Sequence, residues 1–433
     1  MSKRFKKLQA IIAVILAIIT VCSPISVIAE PINDAITAQS VDDDNISTDE
    51  SAYILYEDTE MREESIKYFR MSNGTTQAAQ YLSPVHFEQN GEWVDYDNTL
   101  TEVDADDEEN KNKLVKNKDL INTTADYSVR LSKKTNGTKF VRLEKDGYKI
   151  SWYYENADKS TAEIKKNTAD DDLTTLDNLT STVIYKNVYK NTDFEYIIGS
   201  DSVKENIILK SKNVSNEFTS VYKANGLTPV QTDSKTIELQ SADGKMIYTI
   251  TAPFMEDAQG STSADIALTL IESKNNTFTV KTTLNSEWLN ADDREYPVTV
   301  DPLLKTHQDA KDVQSAFVSS QNPNKCYKAS STDDMGSLYV GNIYGYGQTE
   351  SYMKFTNLPA LGVADKVVDA RLYLGLRKCE VGLPVNIKRL TENWDEKTVT
   401  WNNGPHSDSN ISDYLMLTEK TDLTSFREVE ITD

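Results

Sequence analysis

The sequence predicts an all-β protein made of antiparallel β-sandwich domains. Short runs of residues alternate between apolar and polar, and this period of two gives a strand one buried face and one wet face. The dipeptides Asn90-Gly91, Asp146-Gly147 and Asp243-Gly244 separate successive runs, as two-residue hairpin loops do. Because hairpin follows hairpin, we expect the sheets to be antiparallel.

Alternating runs cover much of the chain. Residues 85–96 and 141–152 each consist of two alternating runs with one of these dipeptides between them. Residues 266–284 form a similar pair of runs that turns at Lys274-Asn275-Asn276. We also predict a last strand over residues 288–300, before Asp301-Pro302. Three tryptophans on these runs are expected in the core: Trp93, Trp152 and Trp288.

The first 29 residues are typical of a signal peptide. Residues 3–7 are basic, and residues 11–21 form an apolar run of about half the roughly 20 residues that a spanning helix needs. Pro24 follows, and Ala29 is the small residue expected before a cleavage site. We therefore expect cleavage after Ala29, secretion, and no membrane segment in the mature protein; an uncleaved anchor is the alternative.

Composition divides the rest of the chain into three parts. Residues 30–50 are acidic and polar, and are predicted to be a disordered leader. Residues 51–303 form an N-terminal β-rich region, and residues 304–433 a second sandwich, because Gly and Tyr rise after Pro302. The end of the chain reads as a strand in progress, so we expect this second domain to be truncated at Asp433.

Net charge limits the class of partner. The 433 residues include 68 acidic and 46 basic side chains, a formal net charge of −22. Such an acidic body repels phosphate backbones, which argues against a nucleic-acid partner. Gly is sparse, and neither a GxGxxG nor a GxxxxGK[ST] phosphate-binding loop occurs.

No catalytic motif is present, so we predict that the protein is not an enzyme. No serine lies in a GxSxG elbow, and the three His lack the HExxH spacing of a zinc protease. Asp193 and Glu195 lie two residues apart on one strand and could act as the carboxylate pair of a glycosidase. We interpret them instead as the wet face of that strand.

Cysteine usage leaves two alternatives open. Only Cys326 and Cys379 remain after cleavage, and they either form a disulfide outside the cell or stay as two small buried hydrophobes. Neither their spacing nor a neighbouring His supports a zinc site.

The sequence implies no cofactor, although calcium is considered as a structural ion because carboxylate oxygens suit this hard cation. The spacing defines no ligand set. The acidic residues that motivate calcium are Asp309, Asp312, Asp333 and Asp334.

Aromatic residues in the second domain are candidates for sugar binding, which needs a ring face for the sugar and amide groups for its hydroxyls. Gly-rich loops on a rigid sandwich commonly carry binding residues. The Trp residues have core packing as their alternative role. The candidate ligand-binding residues are Tyr344, Tyr346, Trp394, Trp401, Asn342 and Asn402.

The second domain resembles the DNRLRE family, β-sandwich domains of secreted bacterial proteins that are grouped with carbohydrate-binding modules. The resemblance is carried by residues 338–341 (LYVG), 352–355 (YMKF) and 367–374 (VVDARLYL). It is also carried by the W-x-E-x-x-V-T-W segment at residues 394–401, with Pro405 beyond it. The resemblance implies a jelly-roll-like sandwich that binds glycan.

The upstream region is similar to the β-rich region that precedes such modules in large cell-surface proteins with RHS (YD) repeats, including wall-associated proteins of Gram-positive bacteria. The similar segments are residues 67–70 (KYFR), 185–189 (YKNVY), 193–196 (DFEY) and 203–206 (VKEN). The chain has no YD repeats of its own.

Together these patterns predict a secreted or cell-surface protein, associated with the cell wall, that binds a polysaccharide or cell-wall glycan. Two alternatives are a structural spacer that presents a C-terminal RHS-repeat or toxin region, and a component of a polysaccharide-degrading enzyme. The sequence determines neither the glycan nor the oligomeric state.

Overall fold

The computed structural model confirms the predicted fold class, since its described residues form antiparallel sheets. No helix within these residues has both the length and the apolar character to cross a membrane. The structure describes residues 16–22, 52–81, 83–105, 117–135, 140–165, 176, 178–251, 254–259, 261–274, 276–300, 303–305, 313–328, 338–343, 346–356, 358, 366–374, 384–409, 413–416 and 427–431.

The strands of the first half are short. In chain order they are β1 Leu16–Cys22, β2 Ile54–Glu57, β3 Ile66–Met71, β4 Thr76–Gln80, β5 His86–Gln89, β6 Glu92–Asp95, β7 Asp97–Asp104, β8 Lys118–Thr124, β9 Tyr127–Ser132, β10 Val141–Lys145, β11 Tyr148–Tyr154, β12 Ala162–Lys165, β13 Ser181–Tyr189, β14 Thr192–Ile198, β15 Ser202–Leu209 and β16 Glu217–Asn225.

Among the described residues, the second half adds one α-helix, α1 Ser286–Asn290, and a 3-10 turn at Trp401–Asn403. Another 3-10 turn, Thr59–Met61, lies in the first half between β2 and β3. The strands of the second half are β17 Thr228–Asp233, β18 Thr236–Gln240, β19 Met246–Thr251, β20 Met255–Glu256, β21 Thr262–Ser263, β22 Ile266–Lys274, β23 Thr277–Leu284, β24 Val298–Val300, β25 Leu303–Lys305, β26 Val313–Ser319, β27 Tyr327–Lys328, β28 Gly341–Ile343, β29 Gly347–Phe355, β30 Lys366–Leu374, β31 Pro384–Ile387, β32 Asp413–Met416 and β33 Arg427–Glu430.

The chain forms two compact units. Of the described residues, unit 1 comprises those within 83–355 and 393–404. It contains an eight-stranded sheet in the order β22-β23-β16-β11-β10-β9-β8-β7 and a larger sheet in the order β12-β13-β14-β15-β25-β19-β18-β17, to which β20, β21 and β24 add. One apolar core lies between these two sheets. Two smaller sheets, β27-β26-β29-β28 and β5-β6, complete the unit.

Unit 2 comprises residues 10–82, 356–392 and 405–433. Its main sheet has the order β2-β3-β4-β1-β30-β33, and β31 pairs with β32. Strand β1 lies within the segment predicted as a signal peptide and pairs with β4 and β30. Cleavage after Ala29 and the domain boundary at residue 304 stay predictions.

The two-residue hairpins predicted at Asn90-Gly91 and Asp146-Gly147 are confirmed, whereas at Asp243-Gly244 strands β18 and β19 pair across a longer loop, residues 241–245. Asn90-Gly91 joins β5 to β6 with φ of 57° and 86°, and Asp146-Gly147 joins β10 to β11 with φ of 52° and 80°. A type I′ turn needs positive φ at both central residues, which Asn, Asp and Gly tolerate best.

The prediction of one last strand over residues 288–300 is wrong in its first half. Residues 286–290 form α1, because the Asn285 side chain accepts the backbone N–H of Trp288 at 2.9 Å and caps the helix. The strand begins only at Val298. Trp288 is half-buried on this helix, with the Arg294 guanidinium carbon 3.7 Å from its ring centroid.

The three predicted core tryptophans differ in burial, so we expect their replacement by Ala to lower the free energy of unfolding by different amounts. Trp152 is 3% exposed on β11, whereas Trp93 is only half-buried. Trp152→Ala should lower the free energy of unfolding by about 3–5 kcal/mol, since it leaves a large cavity. Trp93→Ala should cost less. Urea unfolding of both variants checks this, and equal midpoints would contradict it.

Candidate carbohydrate-binding surface

An aromatic cluster lies at the four-stranded sheet of unit 1. Phe317 on β26 stacks on Tyr327 of β27, with 4.6 Å between ring centroids. Tyr346 packs edge-on against both of these rings at 5.3 Å. It also stacks on Tyr339 at 5.6 Å, with 23° between the ring planes. Four rings from separate segments therefore form one contiguous cluster.

The cluster has a buried layer and an accessible layer. Phe317 and Tyr327 are buried, whereas Tyr339 and Tyr346 are half-buried. The buried pair supports the two outer rings from below. A rigid and partly exposed aromatic pair is suited to stacking against the apolar face of a ligand, while the tyrosine hydroxyl groups stay in water.

Residues 320–325 form a loop that orients Tyr346. The Ser319 hydroxyl donates to the backbone oxygen of Tyr346 at 2.5 Å, and the N–H of Gln321 donates to the same oxygen at 3.1 Å. The N–H of Gln348 donates to the Ser320 hydroxyl at 2.8 Å. Because these bonds hold the backbone on both sides of Tyr346, little ordering should be needed when a ligand binds.

Polar groups lie on the far side of the same loop. The N–H of Asn402 donates to the backbone oxygen of Pro323 at 3.1 Å, and its side-chain amide donates to Asn324 Oδ1 at 2.8 Å. Both Asn side chains are exposed. Lys325 Nζ lies 4.4 Å from the ring centroid of Tyr327. The loop thus joins an aromatic face to amide groups that can bind hydroxyls.

The structure brings two of the predicted site residues, Tyr346 and Asn402, to this one loop. Asn342 is exposed on β28, and Trp401 is half-buried in a 3-10 turn. Tyr344 lies outside the described residues. Ligand binding by all five stays a prediction.

Trp394 does not fit the role predicted for it. The residue is 8% exposed, and its ring packs against Tyr352 at 5.7 Å. Lys354 Nζ donates to the Trp394 backbone oxygen at 2.8 Å. Since the ring fills the interior beside β29, it leaves no face for a sugar, and we exclude it from the candidate surface.

Sequence reasoning missed Tyr339, Asn324 and Lys325. Tyr339 lies just before the Gly-rich loop, where an aromatic residue two positions before Gly341 was a usable signal. Asn324 and Lys325 follow a different strand, β26, and only tertiary pairing places them beside Tyr346 and Asn402.

The predicted disulfide and calcium residues are described only in part. Cys326 Sγ lies 2.9 Å from the Glu396 backbone oxygen and donates to it. Its predicted partner, Cys379, lies outside the described residues, so the pairing stays a prediction. The four aspartates considered for calcium also lie outside them.

The carboxylates considered for glycoside hydrolysis are occupied by ion pairs on β14. Lys210 Nζ lies 2.6 Å from Asp193 Oδ1, and Lys165 pairs with Glu195. Asn206 also donates to Glu195 Oε2 at 2.8 Å. These contacts favour a structural role for the pair over an acid and a nucleophile aimed at a sugar. The prediction of a wet face is wrong for Glu195, which is 6% exposed because Lys165 and Asn206 satisfy its carboxylate inside the protein, whereas Asp193 is half-buried.

Comparison with known families concerns the C-terminal part of the chain. The family model described as carbohydrate-binding module family 96 matches residues 306–433. This part of the chain therefore resembles a β-sandwich of the carbohydrate-binding-module class.

Curated relatives match a larger share of the chain. The tRNA nuclease WapA of Bacillus subtilis strain 168 is 24% identical over 371 residues, and the tRNA3(Ser)-specific nuclease WapA of Bacillus spizizenii is 25% identical over 371 residues. The tRNA(Glu)-specific nuclease WapA of Bacillus subtilis subsp. natto is 24% identical. Each alignment covers 81% of this chain, which spans only about 15% of the relative's length.

These relatives contradict the prediction that the protein is not an enzyme, because all three are named as tRNA nucleases. The prediction rested on the absence of short motifs, but an active site assembled from dispersed residues needs none. The exclusion of a nucleic-acid partner, which rested on net charge, conflicts with the same relatives.

Proposed function

We propose that the chain binds carbohydrate through the surface formed by Tyr339, Tyr346, Asn324 and Asn402. The observation that carries this proposal is the stacked, half-buried Tyr339–Tyr346 pair, which lies within the residues matched by a carbohydrate-binding family. The basic and apolar leader supports secretion. The similarity of the upstream segments to RHS-repeat surface proteins supports a place at the cell wall.

The surface supplies two kinds of contact. The tyrosine pair stacks on the apolar face of a sugar ring, and the two exposed amides bind its hydroxyls. Affinity is modest, because the platform stays partly wet. The formal net charge of −22 favours neutral glycans over acidic polymers.

Removal of the platform should release the glycan. Tyr346→Ala is expected to weaken retention on cell-wall polysaccharide roughly tenfold, since a lost aromatic contact of about 1.4 kcal/mol corresponds to that factor. Affinity electrophoresis and whole-wall pull-down measure it. Tyr414→Ala removes an exposed tyrosine of the same matched segment, on β32, and should bind like the wild type.

A second variant separates binding from folding, because Tyr346 also packs on Phe317. Asn324→Ala with Asn402→Ala removes two exposed amides and the exposed hydrogen bond between them, so it should weaken retention while the melting temperature changes little. If the wild-type chain is retained by no glycan on a broad array and by no cell wall, the carbohydrate proposal fails. The chain would then be a structural spacer that presents another region.

We propose further that the protein acts on tRNA, as its relatives are named to do. Support comes from the alignment over 81% of this chain. Bulk tRNA incubated with the chain, then resolved on a denaturing gel, tests whether these residues carry the activity. Discrete cleavage products that persist after repurification would support this, and intact tRNA would overturn it for these residues.

A further inference from the structure

A groove of about 330 Å³ lies in unit 1, outside the carbohydrate-binding surface, between the β13–β14 turn and the loop from β15 to β16. Asn191 and Asn213 turn the two segments with φ of 55° and 60°. The N–H of Lys210 donates to the backbone oxygen of Asn191 at 2.9 Å, which joins the segments. The groove is therefore part of the folded sandwich.

The floor of the groove is apolar and rigid. Tyr189 packs on Phe218 at 5.4 Å and on Phe194 at 6.0 Å, and its hydroxyl donates to the backbone oxygen of Glu155 at 2.5 Å. Val214 also packs against the core. A fixed ring beside an aliphatic side chain gives a ligand an apolar face to contact.

The rim is basic in an otherwise acidic protein. Lys190 and Lys212 line it, and neither forms an ion pair with a carboxylate of the described residues. Lys212 Nζ is held by the backbone oxygen of Ala291 at 2.8 Å. The acids that follow Ala291 are Asp292 and Asp293, and the latter lies 3.6 Å from an Arg294 nitrogen.

The remaining rim is polar and uncharged. Asn191, Asn213 and Ser215 line it, and the Asn191 amide also donates to the Ser211 hydroxyl at 3.1 Å. Amide and hydroxyl groups of this kind bind sugar or polyol hydroxyls. None of the residues that line the groove is acidic.

We propose that this groove is a second binding site, for a monosaccharide-sized polyhydroxylated anion. Its carboxylate or phosphate lies between Lys190 and Lys212, its hydroxyls contact the Asn and Ser side chains, and its apolar edge rests on Tyr189. The volume is at the lower end of small-molecule sites, which fits one sugar or polyol unit. Uronic acids and polyol phosphates share this chemistry.

Calorimetric titration of the full chain tests the site with three probes: glucuronate, glycerol 3-phosphate and glucose. At least one anion should bind with saturation and weaken as salt is raised, whereas Lys190→Ala should leave any heat from glucose unchanged, because neutral sugars are assigned to the other surface. Lys190→Ala is expected to lower the anion affinity roughly tenfold, and Lys190→Glu to abolish binding. Lys190 is exposed, so neither change should affect folding.

Lys223→Ala is the matched control, because Lys223 is an exposed lysine on β16 that does not line the groove. Its affinity should equal that of the wild type. Whichever anion binds identifies the source of the ligand. The proposal is overturned if neither anion saturates, if Lys190→Ala binds unchanged, or if Tyr346→Ala removes the binding, which would assign it to the other surface.

Discussion

Asp257→Ala is expected to lower the free energy of unfolding by about 3–5 kcal/mol, because it leaves the charged Arg294 guanidinium inside the protein without its buried carboxylate partner. Asp257 and Arg294 are 1% and 8% exposed, and Arg294 Nη1 lies 2.5 Å from Asp257 Oδ2. The cost of removing this guanidinium from water is offset mainly by its one buried carboxylate partner.

The same carboxylate also organises a loop. Asp257 Oδ1 accepts the N–H groups of Gln259 at 3.0 Å and Ser261 at 2.8 Å. Arg294 Nε in turn donates to the backbone oxygen of Trp288 at 3.1 Å. The pair therefore ties residues 257–261 to α1, and its loss should loosen both.

Urea unfolding measures the effect, with Asp293→Ala as control. The Asp293 carboxylate lies 3.6 Å from the same guanidinium, but its side chain is 83% exposed. Its removal should cost no more than about 1 kcal/mol. Asp257→Leu with Arg294→Met, which removes both charges, should recover only part of the loss, because the N–H groups of Gln259 and Ser261 still lack their acceptor. Equal losses for the two Asp→Ala variants would contradict the interpretation.

The second large effect is expected at Glu205. Its carboxylate accepts the hydroxyls of Tyr154 and Tyr196, and Trp152 Nε1 lies 3.4 Å from Oε2. Tyr154 and Trp152 belong to the eight-stranded sheet, whereas Glu205 and Tyr196 belong to the sheet that faces it. Glu205→Ala leaves these donors without their acceptor in the core and should cost on the order of 3 kcal/mol.

This carboxyl should also make stability depend on pH. Burial raises the pKa of Glu205 above its usual value of 4.5, and the hydrogen bonds from Tyr154, Tyr196 and Trp152 only partly oppose that rise. Between the usual and the raised pKa the folded state binds more protons than the unfolded state. The contribution of Glu205 to stability therefore falls as pH rises through this window.

Glu205→Gln, which cannot ionise, should lose that part of the pH dependence. Urea midpoints of the variant and the wild type, measured from about pH 4.5 to 8, are expected to converge or cross on the alkaline side, where the wild type must bury a charge. Parallel curves over the whole range would show that Glu205 does not change its protonation state there.

Part of the candidate site was predictable because its signal is local. A Gly-rich loop with Tyr346 marked an exposed turn, and the segment at residues 394–401 marked the family. The role of Trp394 was not predictable, because the sequence pattern around an aromatic loop residue is the same whether its ring faces water or packs inside the protein. Here the ring packs on Tyr352.

The sequence by itself determined the strands and their hairpins. Alternation with period two is a property of neighbouring residues, and Asn90-Gly91 and Asp146-Gly147 specify turns through their own backbone preferences. The sequence also determined that Glu205 points inward. It lies at every-second-residue spacing from Val203, Ile207 and Leu209, so all four share one face of β15.

Only the tertiary structure decided which strands meet. β15 pairs with β24 and β25, which lie about ninety residues further along the chain, and these pairings depend on contacts that no local pattern records. The same holds for the stacking of Tyr346 on Tyr339 and for the three donors gathered around Glu205. Such contacts form because apolar faces from distant segments must be buried together, and that requirement belongs to the whole chain.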